Sequence, residues 1–215
     1  MIREQLAFEA TCLLQCTDRA RPQRLPERPR PAWRHADGLR SAALAEFNRE
    51  GAAARLVGLL TDLGYPASTE VSIGGGRRRF HLHRVLVPAP ERAELTALLD
   101  AAWRQGRGTV LGTDPVGASS PRHAHRSALA QAVWRAALLA GGRRLRVDSL
   151  GVRVGHQEMA AVLVRAGRLL GVDPAVLSRP GCLLVTVSDT TERARILSTV
   201  STAALGGRRA HALSA

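Results

Sequence analysis

The stretch Trp134-Arg135-Ala136-Ala137-Leu138-Leu139-Ala140-Gly141-Gly142 decides how this chain is read. Alanine and leucine favour helix, and paired glycines are a natural stop. The segment predicts a small-residue-rich helix that closes at Gly141-Gly142. Leu145 and Val147, then Leu150, Val152 and Val154, alternate with polar neighbours and predict two short strands. A helix is expected over Gln157–Leu170, with Met159, Val162, Leu163 and Ala166 on one face and Gly171 as its stop. Arg179-Pro180-Gly181 is a turn leading into a strand from Cys182 to Val187. Asp189-Thr190-Thr191-Glu192 opens the last helix as a capping box, in which the aspartate accepts from an early N–H and the glutamate reaches back. From Arg126 to Thr202 the order reads α-β-β-α-β-β-α.

The same plan is found upstream. Leu56, Leu59, Leu60 and Leu63 make one apolar stripe, and Gly64 stops it. Ala67, Thr69, Val71 and Ile73 alternate with polar residues as a half-buried strand. Gly74-Gly75-Gly76 turns the chain into a second strand, Arg79 to Val87. There Phe80 and Leu82 are expected on one face, with Arg79, His81 and His83 on the other. After Pro88-Ala89-Pro90 a helix carries Leu95, Leu98, Leu99 and Ala102 in stripe. Residues 52–104 and 157–202 therefore share one plan, which points to an internal duplication. Residues 6–15 are apolar and suit a strand or a short helix. Gly38 to Glu50 is helix-compatible. Asp18 to Ala36 holds six arginines and four prolines and reads as an extended arm.

These readings divide the chain into an N-terminal segment with an Arg/Pro-rich linker (1–36), a first, eroded repeat (37–104), a connection (105–125), a second repeat (126–204) and a tail (205–215). The fold class is α+β: curved antiparallel sheets with helices packed on one face of each.

Composition narrows the class of function. The chain has 215 residues, 45% of them hydrophobic, enough for one good core or two small ones. No apolar run approaches the ~18 residues of a transmembrane helix, and the start is not a signal peptide, so a cytoplasmic, nucleoid-associated protein is expected. The formal charge is +13, and all 31 basic residues are arginine. The lack of lysine and the single asparagine, Asn48, read as GC-biased coding. That bias explains the choice of arginine but not the excess of basic over acidic residues. A surface this positive attracts polyanions, nucleic acid first among them. Cys12, Cys16 and Cys182 form neither a disulfide framework nor a zinc site and read as apolar fillers.

The order and residues of Ala53-Ala54-Arg55-Leu56 through Val87, and above all of Trp134 through Ser198, resemble the WhiA family of cell-division and sporulation regulators. Arg165-Ala166-Gly167-Arg168-Leu169-Leu170-Gly171-Val172 is similar to that family's helix before its last hairpin. The resemblance implies LAGLIDADG-like repeats, a degenerate relative of the homing endonucleases, and a role in transcription regulation. The family's C-terminal helix-turn-helix is not expected here.

A LAGLIDADG nuclease needs an acidic residue at the C-terminal end of each motif helix, where two carboxylates share divalent metals. In this sequence the second position is Gly141, and Glu50, in Phe47-Asn48-Arg49-Glu50-Gly51, would fill the first. One carboxylate does not make the pair. The expectation is therefore no enzyme, no catalytic residue, no metal and no cofactor. His81-x-His83 and His123-x-His125 lack a third ligand, and Gly74-Gly75-Gly76 reads as a hairpin turn rather than a phosphate loop. The expected site is a DNA-binding saddle of Arg77, Arg78, Arg79, His81, His83, Arg144, Arg146 and Arg153, with Leu145 and Leu150 turned to the helices. Double-stranded DNA is the expected partner, with no membrane, and a regulatory protein or a second copy as a further one. The rival is a protein–protein interaction module that does not touch DNA.

Overall fold

A computed structural model describes residues 2–17, 43–74, 79–112, 120–146 and 149–206. In chain order the elements are α1 (Ile2–Gln15), β1 (Ala45–Phe47), α2 (Glu50–Asp62), β2 (Ser68–Gly74), β3 (Phe80–Leu86), α3 (Arg92–Leu111), α4 (Pro121–Gly141), β4 (Gly142–Arg146), β5 (Ser149–Val154), α5 (Gln157–Leu169), β6 (Ala175–Arg179), β7 (Cys182–Val187) and α6 (Thr190–Gly206). All strand pairs are antiparallel. One sheet runs β1-β3-β2 and the other β4-β5-β7-β6. The α+β architecture is the expected one.

The leucine and methionine stripes build the core. Leu56, Leu59 and Leu60 of α2, Leu95 of α3, and Met159, Val162, Leu163 and Ala166 of α5 are fully buried. Each large apolar side chain withdrawn from water stabilises by roughly 1.5–3 kcal/mol. α2 and α5 end alike. Gly64 and Gly171 adopt φ of 91° and 73°, a conformation open to glycine. The following N–H groups reach back to orphan carbonyls, Tyr65 N to Leu60 O at 2.9 Å and Val172 N to Gly167 O at 3.0 Å. The two halves therefore share a helix stop as well as the order strand, helix, hairpin, helix that surrounds it.

α1 and α4 pass through the middle. Ala130, Val133, Trp134, Ala136 and Ala137 of α4 are fully buried, and so are Phe8, Ala10, Cys12 and Leu13 of α1. Small side chains let the helices approach closely. Glu9 of α1 is 1% exposed and lies between two guanidinium forks. Arg55 of α2 donates through Nε at 2.7 Å and Nη2 at 3.0 Å, and Arg135 of α4 through Nε at 2.9 Å and Nη2 at 2.5 Å. A carboxylate can be buried here only because both its oxygens are paired.

Residues 6–15, left open between strand and short helix, form part of α1. Other local expectations are corrected. Ala45–Phe47, within the helix-compatible segment, is a strand instead: pairing with β3 and burial of Ala45 and Phe47 outweigh local propensity. α3 runs through Gln105 to Leu111, into the expected connection, because Gly106 gives the Phe8 ring its place and Val110 is fully buried. The capping box is half formed. Asp189 accepts from the Glu192 N–H at 2.8 Å, but the Glu192 carboxylate accepts from the Asp173 N–H at 3.2 Å rather than reaching back.

Candidate nucleic-acid interface

In β5, Leu150, Val152 and Val154 are buried and Arg153 is exposed. Register carries that choice across the sheet. Val152 pairs with Val185 and so with Val176 on the helix side, while Arg153 pairs with Leu184 and so with Leu177 on the open side. Arg179 pairs with Cys182 on the open side too and is exposed. Arg153 is thus where the sequence places it. β4 is not. Uninterrupted alternation puts Arg144 and Arg146 together on the open face, but the register shifts between them. Such a bulge breaks the two-residue period. Arg143 stands opposite Gly151 and Arg146 opposite Ser149, both open-face positions, whereas Arg144 stands opposite the core residue Leu150. Among the described residues no Asp or Glu holds an open-face position in this sheet.

The other sheet reads differently. Ala45, Phe47, Val85 and Val87 are buried, so the odd-numbered residues of β3 face the helices. His81 and His83 share that side, opposite Ile73 and Val71, and Phe80 and Leu82 lie on the open side. This reverses the expected assignment. The reason is that the hairpin tip extends past the helix layer. Val71 and Ile73, though on the helix side, are 55% and 66% exposed, and Phe80 on the open side is 46% exposed. At the tip, apolar character therefore does not mark the core. His83 has its Nδ1 buried with no hydrogen-bond partner among the described residues. Arg79 is exposed beside the turn, and Arg77 and Arg78 lie outside the described residues. The open face also carries Glu46 and Glu70, both opposite Arg84, whose Nε donates to Glu46 at 2.9 Å.

Arg143 and Arg179 escaped the sequence reading. Arg179 was within reach, because a two-residue Pro180-Gly181 turn pairs it with Cys182 and fixes its face. Arg143 was not, since only the bulge selects it.

α1 and α4 run in the same direction. The Gln5 side chain reaches the Ala128 carbonyl and Glu9 meets Arg135, offsets of 123 and 126 residues. The C-terminal end of α1 near Gln15 is therefore level with Gly141. Glu50 begins α2 and does not end a motif helix, so its assignment as the first acid position is corrected. At Gly141 an added Cβ would stand 2.8 Å from the Arg153 carbonyl oxygen. Glycine is needed there because the end of α4 packs directly against the backbone of β5.

Paired central helices, each leading into its own antiparallel sheet, settle the architecture. The fold is that of a LAGLIDADG domain. The N-terminal LAGLIDADG domain of DUF199/WhiA superposes with a TM-score of 0.56 at 11% identity, covering 92% of this chain and 81% of that one. Full-length WhiA from Thermatoga maritima gives 0.57 at 11% identity over 92% of this chain and 55% of that protein. The chain thus spans about half the length of full-length WhiA. A variant of the homing endonuclease I-DmoI, solved in complex with its target DNA and in the presence of Mn, gives 0.51 at 13% identity, covering 94% and 96% of the two chains. No family model matches the chain, and no curated protein matches it. The resemblance to WhiA holds at the level of the fold. The expectation of a non-enzyme does not: a homing endonuclease has the same fold over nearly the whole of this chain, so the fold itself does not set this protein apart from nucleases. Among the described residues, no helix is long and apolar enough to cross a membrane.

Proposed function

We propose that the LAGLIDADG chain binds duplex DNA and acts as a regulator of transcription, in the cell-division and sporulation setting that the likeness to WhiA implies. The observation that carries the reading is the open face of β4–β7. Arg153 and Arg179 are exposed on it, Arg143 and Arg146 hold positions on the same side, and no described carboxylate shares it. Arginine on a pleated surface neutralises phosphates and can fork onto the guanine edge. The charge of +13 and the DNA complex of the I-DmoI variant support the same partner. Arg77, Arg78 and Arg79 belong to the proposed set as phosphate contacts at the β2–β3 turn. The two-repeat division is part of the proposal, with α1 through α3 as the first repeat and α4 through α6 as the second.

Fluorescence anisotropy with a labelled duplex tests this. Affinity is expected to fall steeply as salt rises from about 50 to 200 mM, with a log–log slope of about −0.9 per phosphate contact. No binding at the low-salt end would overturn it. The protein-docking reading would then lead, favoured by the exposed Val71, Ile73 and Phe80 at the β2–β3 tip, with a regulatory protein or a second copy as the occupant.

A further inference from the structure

We infer that the protein holds DNA one-sidedly: the face of β4–β7 enters the groove, and the face of β1-β3-β2 stands off the duplex. This rests on the DNA-binding reading above and deepens it.

The two faces have opposite electrostatic character. Among the described side chains of the second face, the titratable ones apart from Cys182 are Arg153 and Arg179, both exposed. The first face presents Glu46 and Glu70, both exposed, around one arginine, Arg84, which Glu46 already engages at 2.9 Å. Its remaining described positions are Ser68, Ser72, Gly74, Phe80, Leu82 and Leu86. Two carboxylates against a phosphate-lined groove would be repelled, and Arg84 is neutralised where it stands. Arg79, exposed beside the end of the hairpin, does not alter this. Glu70 is four residues from Gly74 at the strand end, about 13 Å at strand rise, so a phosphate held at that end is beyond a Debye length of about 8 Å from it. β5, with its six residues, is about 20 Å long and matches about six base pairs, so the groove contact is half the length that two equivalent sheets would make.

Two double variants test this, measured on the same duplex of about 24 base pairs by anisotropy across salt, with circular dichroism melts to confirm folding. R153A/R179A removes two exposed arginines and is expected to flatten the salt slope by about two units and weaken binding throughout. E46Q/E70Q removes both carboxylates from the first face and frees Arg84. If that face lay on phosphates, binding would tighten several-fold. If it stands off, affinity and slope at about 150 mM salt stay at wild-type values. Tighter binding by E46Q/E70Q, or an unchanged slope for R153A/R179A, overturns the one-sided grip and leaves DNA binding intact. Failure of the wild type to bind any duplex at low salt overturns the DNA reading, and the inference with it.

Discussion

The strands β1-β3-β2 and β5-β7-β6 follow the same order in the same antiparallel sense, and each set is fed by a helix with the same glycine stop. Their helix-facing sides are alike, with Val85 and Val185 fully buried at equivalent central positions. Their open sides are not. One carries Arg153 and Arg179 beside leucines, the other Glu46 and Glu70 around a paired arginine. Packing constrains the inner half of each strand's residues most, although Leu184 and Thr186 on the open side of β7 are buried as well. The outer half is free to diverge, and it does so without disturbing register or core. Similarity of fold between two lobes therefore says nothing about similarity of surface.

The strongest way to break the comparison is to attack what the lobes share. Glu9 ties α1 to α2 in one lobe and to α4 in the other. Glu9→Ala strands two guanidinium groups, one of them buried, and is expected to cost about 3–5 kcal/mol in urea or thermal unfolding, with both lobes melting together. Two separate transitions would show that the lobes are independently stable. The pH dependence has a definite sign. Burial pushes the Glu9 carboxyl up, but the hydrogen bonds from Arg135 and Arg55 outweigh it, so the group titrates below its ordinary 4.5. With the folded value depressed, the clamp contributes fully above the unfolded value and is lost as pH falls through the folded one. Wild type is expected to lose stability below about pH 4.5 more steeply than Glu9→Gln.

Next in size is a contrast between glycines. Gly141→Ala forces a methyl group against the Arg153 carbonyl, and β5 must move. Overpacking of this kind costs typically about 1–3 kcal/mol. Gly58 is an exposed glycine inside α2 with open space around its Cα, so Gly58→Ala is expected to stabilise by up to about 1 kcal/mol. Equal effects of the two substitutions would mean that the α4–β5 approach is not close.

The smallest effect sharpens the second face itself. Register places Arg143 on the open side and Arg144 on the core-facing side. Arg143→Ala is expected to flatten the DNA salt slope by about one unit, and Arg144→Ala to leave the slope unchanged. The opposite result would mean that β4 pairs without its bulge.

Much of the fold was legible because its signals are local. The leucine stripe of α2, the stripe ending at Gly171, the Pro180-Gly181 turn and the strand alternation of β5 each lie within a dozen residues, and each appears where it was expected. The site was only partly legible. Arg153 was found because Val152 and Val154 on either side of it are unmistakably core. The faces of β3 were inverted because Phe80 and Leu82 sit at a tip that no helix covers. Glu50 was misplaced because α1, the true partner of α4, is separated from it by more than a hundred residues.

By itself the sequence determined where α2 and α5 stop, where β6 turns into β7, the excess of positive charge and the α+β class, since periodicity, glycine and proline act through neighbours along the chain. Tertiary structure alone decided that Ala45–Phe47 is a strand, that Glu9 is clamped by Arg55 and Arg135, that Arg143 rather than Arg144 stands at an open-face position, and that His81 and His83 lie on the helix side of β3. Each of these depends on which distant strand or helix arrives alongside. Burial and register are properties of that pairing, and no local pattern contains them.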